Sequence, residues 1–147
     1  MAAMSKYGAK KTVVDGIRFD SRVESLYYLY VKDLKEKGEL KDFKLQPVYE
    51  LQPKYEYQGL KRRAINYKAD FLLIDNDDKE TVIDVKGMPT SDAKLKRKMF
   101  EYRYPDKDLK WIVRNLKRGS ETGGWITYED NEEGKKKAKK LKKASQK

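Results

Sequence analysis

The sequence predicts an α/β (α+β) domain, in which a mixed central sheet is covered by helices. Two segments with helical spacing of apolar residues, Ser21 to Lys37 and Ser91 to Tyr104, alternate with short runs rich in β-branched and aromatic residues. Their order is hairpin, helix, several strands, helix, two strands, which builds a mixed sheet with helical cover. At 147 residues, with 38% hydrophobic content, the chain suffices for one domain with a modest core.

The elements follow in order. Thr12-Val-Val14 and Ile17-Arg-Phe19 flank Asp15-Gly16, a pair suited to a type I′ hairpin turn. Ser21 opens a helix that runs to about Lys37 and stops at Gly38. Its residues Val23, Leu26, Tyr27, Tyr30 and Leu34 share a face that should pack on the sheet. Phe43 to Tyr57 holds one or two strands, interrupted by Pro47 and Pro53, with Gly59 as a further turn. The runs Tyr67 to Ile74 and Thr81 to Gly87 read as a second hairpin around the polar loop Asp75 to Glu80.

Past Met88-Pro89-Thr90 a second helix begins, with Ser91 as the expected N-cap and Asp92 in the first turn; Pro105 ends it. Leu95, Met99 and Tyr102 fall on one side of this helix, and Lys94, Arg97 and Lys98 mostly on the other. Leu109 to Val113 and Trp125 to Tyr128 are the last strands, separated by a turn with Gly123 and Gly124.

Charge is uneven. The net +11 comes from 35 basic and 24 acidic residues, and residues 134–147 carry eight lysines and no acid, leaving about +3 for residues 1–133. The expected organisation is a single domain over 1–133 and a disordered lysine-rich tail over 134–147. That tail reads either as a solubilising appendage or as an arm for phosphate backbones.

No apolar run approaches the ~20 residues of a membrane span. The stretch Met1 to Lys6 has no hydrophobic leader, and there are no cysteines, so a cytoplasmic protein is expected. The absence of histidine excludes Ser-His-Asp triads and histidine-dependent zinc sites or nucleases. Any chemistry here runs on carboxylates, lysines, tyrosines and hydroxyls. Oxygen ligands of that kind favour magnesium, manganese or calcium over zinc or copper.

The candidate chemistry lies in the second hairpin. If its strands pair symmetrically about Asp77, Asp70 lies opposite Asp84, and Lys86 shares the Asp84 face. Opposed like charges on one sheet face destabilise a fold, yet two carboxylates beside a lysine suit a divalent-metal phosphodiesterase. Asp70, Asp84 and the Val85 carbonyl would be ligands, and Lys86 would orient water or steady the developing charge. Glu24 is a candidate third carboxylate. Ser21-x-x-Glu24 is equally a capping box that would commit its side chain to the helix end.

The order Glu24, Asp70, Asp84-Val-Lys86 resembles the PD-(D/E)XK nuclease superfamily, in particular phage resolvases of the endonuclease I type. The matching stretches are Tyr67-x-x-Asp70-Phe71-Leu72-Leu73 and Asp84-Val85-Lys86-Gly87 with the basic helix through Lys98; Ala69 stands where many members have proline. The whole chain also resembles an uncharacterised family of small phage proteins.

The superfamily resemblance implies a restriction-endonuclease-like sheet flanked by helices, with Glu24, Asp70, Asp84 and Lys86 catalytic. It further implies a Mg2+ (or Mn2+) cofactor, cleavage of branched or Holliday-junction DNA, and a homodimer acting in a bacterial host cytoplasm. Lys94, Lys96, Arg97 and Lys98 would contact phosphate, and Tyr27 or Tyr28 could stack on unpaired bases. A nicking or restriction-like nuclease on duplex DNA, and a non-catalytic nucleic-acid-binding protein, are the alternatives.

Overall fold

The computed structural model describes residues 11–145; the Met1 to Lys6 stretch considered above for a leader lies outside them, as do residues 146 and 147. The first hairpin forms as its sequence demands. β1 (Thr12–Val14) pairs antiparallel with β2 (Ile17–Phe19), and Asp15 and Gly16 both take positive φ, 52° and 74°, at the turn.

Helix α1 (Arg22–Glu36) starts where Ser21, still extended, accepts a hydrogen bond from the Glu24 amide at 3.2 Å. Its inward stripe buries Tyr27, Tyr28 and Val31, with Val23, Leu26, Tyr30 and Leu34 packed beside them. The chain then runs through β3 (Asp42–Leu45), β4 (Val48–Gln52), β5 (Tyr55–Tyr57), β6 (Leu60–Arg62), β7 (Ile65–Lys68), β8 (Phe71–Ile74) and β9 (Glu80–Val85). After α2 (Ser91–Arg103) come β10 (Asp108–Arg114), β11 (Trp125–Thr127) and α3 (Tyr128–Ser145).

The central sheet has the order β11-β10-β9-β8-β3. Its one parallel pair is β9 with β10, because α2 carries the chain across between them; the other neighbours are antiparallel. β4 and β7 form a separate ribbon, and β5 and β6 a hairpin beyond it. Alternation along the central strands divides the core in two. Phe71, Ile83 and Val85 pack with α1, Phe19 and Trp125. Leu72 and Val82 pack with Phe100 of α2 and with Leu51, Tyr67 and Ala69. This mixed α+β architecture is the one the element order predicts.

The segment expected to hold one or two strands contains three, β3, β4 and β5, and the run Tyr67 to Ile74 is broken at Ala69 and Asp70 between β7 of the ribbon and β8 of the central sheet. Four further details differ from the sequence-based expectation. Thr90 rather than Ser91 caps α2: both carry a hydroxyl, but Thr90 still has extended backbone, and its Oγ1 accepts from the Ala93 amide at 3.1 Å. The helix buries Phe100, while Leu95 and Tyr102 point outward, 59% and 91% exposed. Tyr128 starts α3 instead of ending a strand.

The tail expected to be disordered is helical as far as Ser145. Glu129 and Asp130 lie in the first turn of α3 and Lys142 and Lys143 in the last, which complements the helix dipole. Lys135 reaches Glu132 at 3.2 Å and Lys137 reaches Glu133 at 3.6 Å, one helical turn apart. None of the described helices is long and apolar enough to cross a membrane.

Candidate active site

The register of the second hairpin is symmetric about Asp77: Leu73 faces Thr81 and Ile74 faces Glu80. That register brings Asp70, just before β8, to Asp84 near the end of β9. The Asp70 amide donates to the Ile83 carbonyl at 3.0 Å, and the Val85 amide donates to Asp70 Oδ2 at 2.8 Å. The two carboxyl groups are thereby held in hydrogen-bonding contact. Burial, then the Asp84 charge, drives the Asp70 carboxyl well above the usual range. That upward push on Asp70 reflects negative charge crowded into a poorly hydrated place.

Asp84 is only 4% exposed, and two side chains converge on its Oδ2. Lys86 Nζ lies 3.1 Å from its Oδ2 and 5.3 Å from the centre of the Trp111 ring. The Tyr67 hydroxyl donates to the same oxygen at 2.6 Å and accepts from Trp111 Nε1 at 2.9 Å. Burial, followed by the Asp84 charge, keeps the Tyr67 hydroxyl protonated and so a committed donor. Trp111 can serve because the parallel register of β10 sets it directly beside Asp84.

Neither Tyr67 nor Trp111 is given a role by sequence reasoning. The signals in the chain are a tyrosine three residues before Asp70, and an indole N–H in an otherwise aliphatic buried strand, where it must find an acceptor.

Glu24 approaches without closing the cluster. It sits on the first turn of α1 and, with Asp70, Gln46 and Phe19, lines a cavity of about 100 Å³. Its carboxylate accepts from the Asp20 backbone amide, so the capping reading holds in a form shifted by one residue. Burial, and then the Asp20 and Asp84 charges, push its pKa up to about 7. The nearby charge of Asp84 is thus felt across the site. Among the described residues, no three acidic side chains converge closely enough to hold a metal ion by themselves.

On the other side, Asp84 and Lys86 open into a cleft of about 290 Å³ whose walls include Tyr67, Lys68, Thr90 and Lys96. The four basic residues of α2 expected to contact phosphate therefore separate. Lys96 faces this cleft, whereas Lys98 borders an apolar groove with Leu51, Met99 and Tyr102. Lys94 is exposed near the helix start. Arg97 is committed internally: its guanidinium lies 4.5 Å from the Trp111 ring centre and pairs with Glu129 of α3 and, at 3.6 Å, with Glu101. Tyr27 and Tyr28 are core residues, 4% and 7% exposed, so stacking on a base is closed to them.

Fold and site together define an α+β domain with an acid–acid–lysine cluster at one end of a mixed sheet. The chain belongs to the protein family of unknown function DUF1064, whose model matches residues 4–120. That span includes Glu24, Tyr67, Asp70, Asp84, Lys86 and Trp111, and stops short of β11 and α3. No curated protein and no solved structure matches the chain.

Proposed function

We propose that the protein is a divalent-metal-dependent endodeoxyribonuclease of the PD-(D/E)XK type, acting on branched DNA. The observation that carries this reading is the pair of half-buried Asp70 and buried Asp84, with Lys86 Nζ 3.1 Å from Asp84, beside a cleft bordered by Lys68 and Lys96. As structure alone this arrangement is costly, because each acid raises the free energy of the other. Its location at the end of β8 and β9, and the order of Glu24, Asp70, Asp84 and Lys86, support the resemblance to that superfamily.

The donor set fits a hard cation. All its atoms are oxygens, and the two adjoining carboxyl groups crowd negative charge where a doubly charged ion would be favoured. Asp70, Asp84 and the Val85 carbonyl would hold the ion, with Glu24 placed to act through water. When bound, it would lower the pKa of a water molecule and neutralise charge on the phosphate.

The protein's own residues do the rest. Tyr67, fixed by Trp111, keeps the Asp84 carboxylate in one orientation, as partners of metal-binding carboxylates do. Lys86 extends from that carboxylate to the cleft, where its ammonium can orient the attacking water or donate to a phosphate oxygen as charge develops. Lys68 and Lys96 on the cleft wall attract the phosphate backbone.

The test is incubation with four-way junction, duplex and single-stranded DNA in magnesium, manganese or EDTA. Cleavage is expected only with metal, best on the junction, and lost in Asp70→Ala and Asp84→Ala. Full activity in EDTA or in both variants would overturn the reading; equal cutting of duplex and junction would overturn the branched-DNA assignment.

A further inference from the structure

One excursion of the chain does nothing visible for the fold. Every residue from 52 to 63 is exposed, and the β5–β6 hairpin buries no side chain. An isolated two-stranded hairpin gains little stability from itself, so apolar side chains placed on it are not there to build a core. Yet it carries Tyr55, Tyr57 and Leu60 at 48%, 57% and 53% exposure. The register Tyr55 to Arg62 and Tyr57 to Leu60 sets these four residues on one face, with Glu56 and Lys61 on the other.

Charge points to the occupant. Residues 54–63 hold four cations, Lys54, Lys61, Arg62 and Arg63, against the single carboxylate of Glu56. The ion pairs found among the described residues use none of the four, in contrast to Arg97. A second copy of the same basic hairpin would be repelled. A polyanion would be attracted.

Position points the same way. The β4–β7 ribbon, from which the hairpin extends, brings Asn66, Tyr67 and Lys68 to the wall of the Asp84 cleft. Gln58 and Gly59, with φ of 50° and 79°, close the tip in the tight two-residue turn that keeps such a ribbon narrow. Tyr55 and Tyr57 are two residues apart on one strand, a spacing of about 6.8 Å. That is about twice the ~3.4 Å rise per nucleotide of a strand, so one base fits between the rings.

We infer that the β5–β6 hairpin is a nucleic-acid-gripping arm, with Tyr55 and Tyr57 stacking on unpaired bases, Arg62 on the same face holding the adjoining phosphate, and Lys61 on the opposite face reaching the backbone that passes the arm's edge. This deepens the nuclease reading and rests on it for the choice of DNA. Stacking needs a base whose face is open, so the arm favours strands at a branch, gap or end over continuous duplex.

The experiment measures binding in EDTA, so that cleavage plays no part. Fluorescence anisotropy with labelled four-way junction, single strand and matched duplex is followed across a salt series. Tyr55→Ala/Tyr57→Ala is expected to weaken junction and single-strand binding by about tenfold or more while barely affecting duplex. Tyr55→Phe/Tyr57→Phe should restore the affinity, since the ring is kept.

Lys61→Ala/Arg62→Ala should weaken all three substrates and lower the slope of log affinity against log salt by about two. Unchanged junction affinity in the alanine pair, equal loss on duplex, or failure of the phenylalanine pair to recover would each overturn the proposal. So would parent protein that binds no nucleic acid. A fall from dimer to monomer in light scattering with DNA affinity intact would make the hairpin a contact between copies instead. If the arm variants behave as expected while magnesium produces no cleavage, the arm stands and the nuclease reading falls. If metal-dependent cleavage is seen and the arm variants bind like the parent, the nuclease reading stands and the arm falls.

Discussion

Replacing Glu24 by glutamine should make the metal-free protein more stable at pH 8 and leave it unchanged at pH 4. Burial and the charges of Asp20 and Asp84 raise the Glu24 pKa from the ordinary 4.5 to about 7. A raised carboxyl binds its proton more tightly when folded than when unfolded. The stability it contributes is complete below about pH 4.5 and is lost as the pH climbs through 7.

At about 1.4 kcal/mol for each tenfold change in proton affinity, that rise bounds the effect at about 3.4 kcal/mol. Glu24 is half-buried, and water screens part of the interaction, which leaves about 1–2 kcal/mol. Glutamine keeps an oxygen for the Asp20 amide, so the helix end is not sacrificed. For a domain of this size, ~1 kcal/mol moves the melting temperature by about 3–4 °C. Calorimetric melts in EDTA should therefore place the variant roughly 3–8 °C above the parent at pH 8, with the two coinciding near pH 4. Asp70 is present in both chains but feels the Glu24 charge, so part of the gain comes through relief of the Asp70 carboxyl. A variant less stable than the parent at pH 8, or a gain of the same size at both pH values, would refute the electrostatic account.

Tyr67→Phe should lower the melting temperature, because it leaves Trp111 Nε1–H without its acceptor, at a cost of about 1–3 kcal/mol. It should also slow DNA cleavage by about 10- to 100-fold with little change in KM, read in steady-state kinetics. Deleting residues 135–147 should weaken binding to every DNA substrate and flatten its salt dependence, while turnover at saturating DNA and thermal stability stay near the parent's. The stability expectation rests on Tyr128, Glu129 and Asn131, which carry the contacts of α3 with Trp111, Arg97 and Asn115 and are retained.

What the sequence revealed was local. The hairpin register that opposes Asp70 and Asp84 could be counted from the loop centre, and the Asp15-Gly16 turn and the buried stripe of α1 followed from residue type and spacing. What it concealed depends on partners distant in the chain. Trp111 meets Asp84 only through a parallel register, which no turn fixes. Arg97 looks like a free phosphate ligand until α3 supplies Glu129. Tyr27 and Tyr28 could have been surface rings or core, and only the covering sheet decides. Helicity of the tail was masked by its lysine content, although Ala138, Leu141 and the glutamates one turn upstream of Lys135 and Lys137 favour a helix.

The strand order also bears on when the acidic pair becomes costly as the chain folds. β8 and β9 are joined by residues 75–79, so this hairpin is a short-range contact that closes readily. At that stage the two aspartates face each other in water, where their repulsion is weak. β10 reaches β9 only after residues 86–107 have crossed over, and with it come Trp111 and the packing of α2 that remove solvent from Asp84. The penalty on the acids thus belongs to the late, long-range step of assembly rather than to the first contact between the strands. An interaction absent from the transition state is felt in the rate of unfolding rather than of folding. The acid pair is therefore a built-in limit on how long the native, metal-free protein persists.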